Sequence, residues 1–555
     1  MKIKVLFLVI ILGNLGYAQY DFEQIDVWSG SNGGSAKYLT QYNGAMYFQA
    51  AEITPSFKKL YKTDGTLSGT VQVATNLNAG AGYSPESFTV FNGQLFFTAQ
   101  VSGLGIELYK TDGTEAGTLL VKDIRAGSSN GLDQNTNNDK QLFVEFNGEL
   151  YFRGSTNSSI ELWKTDGTET GTVSVKNFEA TQTGAPVYVT NNEREYLGVV
   201  FNNELYFVVN RSGDYELWKT DGSTTGTVIV RNGFSNISNL IVFNNQLFFS
   251  ATDVGSGNEI WVSDGTSIGT QLKHDIFPNN LNPSLGLGSS PDDFIIFNNE
   301  MFFTARGYDD LNNNVIGREL YKTDGALSSL VKNINTTISG SNVERSGLSM
   351  PKFKIFNNQL YFIANNDVNG TYGLWVTNGT ESGTVEVVSP NDTGVSFQFL
   401  NATEYNNALF YFNNQQLWVT NGTLSGTKIL TDINGVNSDI LQAQLGTLIN
   451  FSNKLWFEGL SNSNGSELTS LVDNTLSNVK VEGFLEVKLY PNPSKSIINI
   501  SGNSEIYNIK VFNCLGQKVG ETSGRTIDVS SLPIGQYVVK FQTNGGALTK
   551  KIIKI

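Results

Sequence analysis

The chain has 555 residues, of which 39% are hydrophobic, 12% aromatic and 16% charged, with 57 Gly, one His and one Cys. A single Cys excludes a disulfide framework and a Cys-based zinc cluster, a single His excludes multi-His metal sites, and the aromatic content excludes a disordered chain. The net charge of −14 argues against a nucleic-acid ligand, whose phosphates demand a basic face.

Taken in chain order, the first feature is Lys2 and Lys4 ahead of an apolar run from Val5 to Leu12 and a Gly16-Tyr17-Ala18 ending. A basic start, a short apolar stretch and small residues predict a secretory signal peptide over 1–18. The apolar run is far shorter than the roughly 20 residues that cross a bilayer, so no transmembrane segment is expected.

Internal repeats then organise residues 19–481. One phrase, Glu107-Leu108-Tyr109-Lys110-Thr111-Asp112-Gly113-Thr114 closed by Gly117-Thr118, returns along the chain, and each copy follows a second phrase such as Phe91-Asn92-Gly93-Gln94-Leu95-Phe96-Phe97. Both occur nine times, although the sixth copy of the first phrase has lost its closing Gly-Thr and the ninth is eroded. The turn position is held by Asp64, Asp112, Asp166, Asp221, Asp264, Asp324, Asn378 and Asn421. Asn and Gly accept the positive φ of a tight hairpin, and adjacent apolar residues in the two middle segments imply strands buried on both faces. Each unit therefore predicts four short strands in about 50 residues, which describes a blade of an all-β propeller rather than an immunoglobulin module of twice that length. Eight to nine blades are expected, with two smaller rings as the alternative. Residues 22–28 resemble the end of a fourth strand and are expected to complete the last blade, removing the exposed edge.

These residues resemble the ELWxxDGT repeat proteins, a group of bacterial secreted propeller-like proteins. The resemblance implies a fold and no reaction.

After a short linker at 482–486 the composition changes. Residues 487–555 hold nine Lys and Arg against three Asp and Glu, which leaves −22 for residues 19–486 and marks a separate module. Alternating segments at 497–500, 509–512, 517–519, 537–541 and 551–555 predict a small β-sandwich. Tyr490-Pro491-Asn492-Pro493, Gly516, Gly535, Tyr537, Lys551 and Lys554 make it resemble the type A C-terminal sorting domain of type IX secretion substrates. That resemblance implies passage across the outer membrane by the type IX machinery, then either release or attachment to a surface lipopolysaccharide. Cys514 is expected at a strand end as a small buried residue.

Chemistry is sparser than architecture. The recurring Asp or Asn is assigned to turn formation, because an exchange of Asp for Asn suits a hydrogen-bond acceptor better than a cation ligand. Asp310, Asn312, Asn314 and Glu319 offer oxygens at alternate positions as calcium candidates, but lack the Gly and Glu of an EF-hand loop. His274 aligns with Lys122 of another unit and is expected to be an exposed strand end. The five tryptophans of the repeat (Trp163, Trp218, Trp261, Trp375, Trp418) are expected in the core. No Ser-His-Asp or Cys-His set can be assembled, so no catalytic residue and no cofactor are assigned. The expected function is a non-enzymatic, secreted or surface-bound protein that takes polysaccharide or a surface protein on unequal loops (133–140, 182–196, 278–291, 306–318, 336–350). The alternative is a hydrolase or lyase acting on extracellular polysaccharide through carboxylates and Tyr at the ring axis.

Overall fold

A computed structural model describes residues 20–28, 33–51, 58–74, 84–133, 140–156, 159–178, 184–190, 195–277, 288–309, 312, 314–339, 343–367, 369–430, 440–443, 446–461, 464–473, 488–501, 506–513, 517–543 and 546–555. The expected signal peptide at 1–18 and the expected linker at 482–486 lie outside them, as do Asp310, Cys514 and Gly516. Residues up to Asp473 form one compact unit and residues from 488 onward belong to another.

Among the described residues the repeat units become nine antiparallel sheets, seven of them with four strands paired in chain order. In the second, Glu86–Phe91, Gln94–Val101, Gly105–Thr111 and Leu119–Lys122 pair sequentially. The first two strands are joined by Asn92 (φ 46°) and Gly93 (φ 70°), the left-handed pair that a two-residue hairpin needs. The same turn recurs with two asparagines at Asn202-Asn203, Asn244-Asn245 and Asn298-Asn299. The third strands, such as Ile160–Thr165 and Asp214–Thr220, bury both faces: Leu162 and Leu217 are fully buried, and Trp163 and Trp218 nearly so. All five repeat tryptophans are buried.

The ninth sheet takes its outer strand from the start of the chain. Tyr20–Ile25 pairs antiparallel with Gly465–Asp473, with Phe22 opposite Leu471 and Gln24 opposite Thr469. The sheets are welded by clusters of large side chains, each bridging consecutive sheets: Phe96, Phe152 and Trp163 join the second to the third, and Phe410, Phe412 and Phe457 join the eighth to the ninth. A further cluster unites Ile25, Phe451, Trp456 and Leu468 of the last sheet with Met46, Phe48 and Tyr61 of the first. Full burial of one such side chain contributes about 1.5–3 kcal/mol.

A buried carboxylate fastens several of these sheets to the segment that leaves the fourth strand. Glu107 accepts from the backbone N–H of Ile124 at 2.8 Å, Glu259 from Ile276 at 3.0 Å and Ser289 at 2.6 Å, and Glu319 from Ile334 at 2.9 Å and Gly347 at 2.8 Å. In the ninth sheet Glu467 accepts from Val27 at 3.1 Å and Gly34 at 2.5 Å. The chain start thus meets the last sheet with the same side-chain pattern by which a continuous repeat holds its own fourth strand.

The fourth sheet departs from the pattern. Gly184–Val187 and Gly198–Phe201 both pair with Glu204–Arg211, and the chain between them joins a small sheet of Lys140–Gln141, Glu195–Tyr196 and Val189–Thr190. The one helix among the described residues is the single turn Pro390–Thr393, capped by Ser389.

The second unit is a two-sheet sandwich. Lys488–Tyr490, Ile497–Ser501 and Thr526–Asp528 form one sheet, and Lys518–Thr522, Ile506–Phe512, Gly535–Thr543 and Gly546–Lys554 the other. Ile498, Ile500, Ile509, Val511, Val539, Phe541 and Ile552 fill the space between.

Candidate functional site

The recurring Asp is consumed locally. Asp166 Oδ1 accepts from the Thr168 backbone N–H at 2.8 Å and from the Thr168 hydroxyl at 2.7 Å, the same hydroxyl accepts from Gly171 N–H at 2.9 Å, and the Thr165 and Thr172 hydroxyls meet at 2.7 Å. Asp64, Asp112, Asp221 and Asp264 repeat this, and these bonds hold their carboxyls below the usual range. Asp324 uses the backbone N–H groups of Ala326 and Leu327 instead. Asn378 and Asn421 accept through Oδ1 with the same partners, so only the acceptor oxygen is used. A Cβ on Gly171 would collide with the Asp166 carboxylate. Every residue of the Thr-Asp-Gly-Thr-x-x-Gly-Thr turn therefore has a bonding or steric reason.

His274 is buried at 8% exposure, which corrects the expectation of an exposed strand end. Its repeat position normally carries a long cation that reaches the next sheet's turn: Lys122 Nζ donates to the Glu169 carbonyl at 3.2 Å and Lys332 to the Thr384 carbonyl at 3.0 Å. The turn of the sixth sheet is two residues shorter than the others, so that Ser328 stands opposite Thr323 where other sheets place the closing Thr, and its buried hydroxyl makes no bond to Thr323. His274 Nε2 lies 3.3 Å from the Thr323 hydroxyl and takes that partner's place. That hydroxyl donates to the Leu327 carbonyl at 2.7 Å, so the neutral ring donates to it. Burial pushes the imidazole down to about 4.

The calcium candidates do not converge. Asn312 donates to Asp309 at 2.6 Å, Asn314 donates to Glu344 at 2.8 Å, and Glu319 is fully buried on the backbone N–H groups named above. Among the described residues no group of three or more acidic, His or Cys side chains is placed to hold a metal ion.

Strand alternation puts the hairpins after the first strand and the Asp-Gly turns at one end of every sheet. The connections between sheets and the hairpins between second and third strands lie at the other, so all the unequal loops share that end. Residues 134–139, 182–183, 191–194, 278–287 and 340–342 of those loops lie outside the described residues. The stretch 306–318 is largely an extended hairpin, Glu300–Asp309 with Asn314–Thr323, rather than an irregular loop.

At this end the fourth, fifth and sixth sheets enclose a cleft of about 290 Å³ whose lining includes Tyr188, Tyr215, Asn236, Asn258, Asp292 and Arg318. Two bulged first strands shape it: Asn239 (φ 57°) and Asp293 (φ 61°) take left-handed conformations beside register shifts, which re-aim the neighbouring Ser238 and Asp292. Asp292 Oδ1 accepts from Asn239 Nδ2 at 2.8 Å, and Arg318 donates to the Thr304 hydroxyl at 2.9 Å with Asp292 Oδ2 3.9 Å away. Burial and then the charge of Asp292 push Asp293 up to about 6, while Arg318 opposes them. Asn258 Oδ1 is buried and accepts from no group among the described residues. Arg153 pairs with Asp133 at 3.4 Å and lies 5.7 Å over the ring of the lining residue Tyr188. Sequence reasoning missed this cleft entirely; the doubled Asp292-Asp293 was its only local signal.

The residues of the sorting resemblance tie the ends of the second unit together. Asn492 donates to the Lys551 carbonyl at 2.9 Å and accepts from Ile553 N–H at 2.8 Å, beside Ser494 N–H donating to the Ile553 carbonyl at 2.9 Å. The Tyr490–Pro493 segment is thereby laced to the last strand. Tyr537 is in the core with its hydroxyl on the Pro533 carbonyl at 2.8 Å, Gly535 pairs with the largely buried Lys554, and Lys551 and Tyr490 are exposed.

Residues 488–555 match the secretion system C-terminal sorting domain family. The chain thus carries a type IX sorting tail, which indicates secretion or an outer-surface location, and no helix among the described residues is long and apolar enough to cross a membrane. No curated protein matches the chain. Among solved structures it is similar to a puromycin hydrolase (TM-score 0.30, 10% identity, 70% of this chain and 62% of that one). It is also similar to prolyl oligopeptidase B from Galerina marginata (0.36, 9%, 70% and 56%) and to oligopeptidase B from Leishmania major (0.33, 8%, 87% and 54%). The chain spans less than two thirds of the length of each.

Proposed function

We propose that this is an exported, non-enzymatic binding protein: a closed nine-bladed propeller of ELWxxDGT-type repeats that takes a polysaccharide or surface protein on its loop-bearing end, delivered by its C-terminal sorting tail. The observation that carries the reading is the concentration of the long, unequal connections, and of the polar cleft, at one end of sheets that are otherwise alike. A rigid scaffold with one variable end suits recognition, because loops change there without disturbing the core. The test is retention of the purified mature protein on immobilised polysaccharides and surface proteins, with assay of the polysaccharides for new reducing ends. Retention on at least one without cleavage is expected, and no retention on any would reject the reading.

One observation favours a second reading, an enzyme acting on polysaccharide. Asp293, raised to about 6, is the chain neighbour of the cleft residue Asp292, and a carboxyl with a raised pKa next to a second acidic group is what acid–base chemistry on a glycoside uses. Against it, Asp293 accepts the Thr304 hydroxyl at 3.3 Å, a structural use of the same carboxylate. Polysaccharide cleavage abolished by Asp293→Asn would establish this alternative.

A further inference from the structure

We infer that the cleft between the fourth, fifth and sixth sheets is a subsite for one uncharged sugar ring of a polysaccharide, an inference that rests on the binding function proposed above. A volume of about 290 Å³ is at the lower limit of ligand sites, suited to a single ring rather than a drug-sized molecule. Its walls divide by chemistry. The half-buried Tyr215 offers its ring to the C–H face of a pyranose, while Asn258, Asp292 and Arg318 offer acceptors and a donor around it. A sugar hydroxyl both donates and accepts, so a ring of hydroxyls satisfies such a mixed lining, and the buried, unclaimed Asn258 Oδ1 lacks only a donor.

The charges select against an acidic sugar. Asp292 borders the cleft, Arg318 is already turned to Thr304 and Asp292, and residues 19–486 carry −22, a field that repels anions. A polypeptide needs a free sheet edge or a longer groove than this cleft supplies.

Binding of full-length mature protein is measured to neutral tetrasaccharides (β-1,4-glucose, β-1,4-mannose, β-1,3-glucose, α-1,4-glucose), to polygalacturonate and to immobilised surface proteins, for wild type and Asn258→Ala. Removing an unpartnered amide leaves the thermal midpoint unchanged or raised, so lost binding reports contact with ligand rather than unfolding. Binding of at least one neutral tetrasaccharide, weakened tenfold or more by Asn258→Ala, is the expected result. Equal binding by wild type and variant, or binding only of polygalacturonate or protein, overturns the subsite while leaving the binding function standing. Binding of nothing overturns both.

Discussion

Gly222 follows Asp221 in the turn of the fourth sheet at φ +96°, and a Cβ there would stand 2.5 Å from the Tyr151 hydroxyl of the preceding sheet. Gly93, in a hairpin at φ +70°, has open space around it. Both need the left-handed region, but only Gly222 is also an intersheet contact. Gly93→Ala should therefore cost about 1 kcal/mol, and Gly222→Ala at least about 2–3 kcal/mol, in chemical denaturation. Equal costs would mean that the turn glycine serves its turn alone. His274 allows a sharper check. If it takes the place of the usual hydroxyl partner of Thr323, His274→Ala should destabilise by about 1–2 kcal/mol, and by clearly less in a Thr323→Val background; additive effects in a double-mutant cycle would refute the pairing. The turn was legible in the sequence because its bonds run to residues two or three positions on. Neither the Tyr151 contact nor the burial of His274 was, since each partner belongs to another repeat.

At the scale of strands and the carboxylates that fasten them, pH acts. Burial raises Glu107, Glu259 and Glu467 to about 7 and Glu319 to about 8 against the pull of their N–H donors. A carboxyl whose pKa rises on folding keeps its proton in the folded state after the unfolded chain has lost it. Stability therefore falls as pH rises from about 4.5 through 7–8. His274 has the opposite sign: its folded value lies below its unfolded one, so its contribution is lost as pH falls from about 6.5 toward 4. Four groups outweigh one, and the thermal midpoint should drop between pH 5 and pH 8 by an amount on the order of several kcal/mol in stability. A midpoint that rises across this range would show that the N–H donors dominate and that these glutamates are charged when folded. The four strands of each unit were legible from hairpin chemistry and paired apolar residues. The split first strand of the fourth sheet was not, nor was the left-handed bulge that first strands share at Tyr38, Ser87, Asn239, Asp293 and Asn401, because no one residue type marks it. The cleft is built from those irregularities across three repeats, so no single stretch of sequence carried its signature.

For the whole molecule, the central claim is that the chain's start completes its last sheet and so turns nine repeats into one ring. Phe22, Ile25 and Glu467 made this partly legible, as residues repeating a pattern seen inside continuous units. The last sheet was the place expected for them, and the register, with Phe22 opposite Leu471, came from strand pairing. Closure would also serve the proposed binding function, since a cleft shared by three sheets keeps its shape only if those sheets cannot splay. The most direct measurement is an intramolecular crosslink in the mature protein carrying Gln24→Cys and Thr469→Cys with Cys514→Ser, where the two introduced residues stand opposite each other in the register. Mild oxidation is expected to give a monomeric, reducible crosslink joining these two positions by peptide mapping, with an unchanged or raised thermal midpoint. Free thiols after oxidation, or crosslinks only between molecules, would contradict a closed ring.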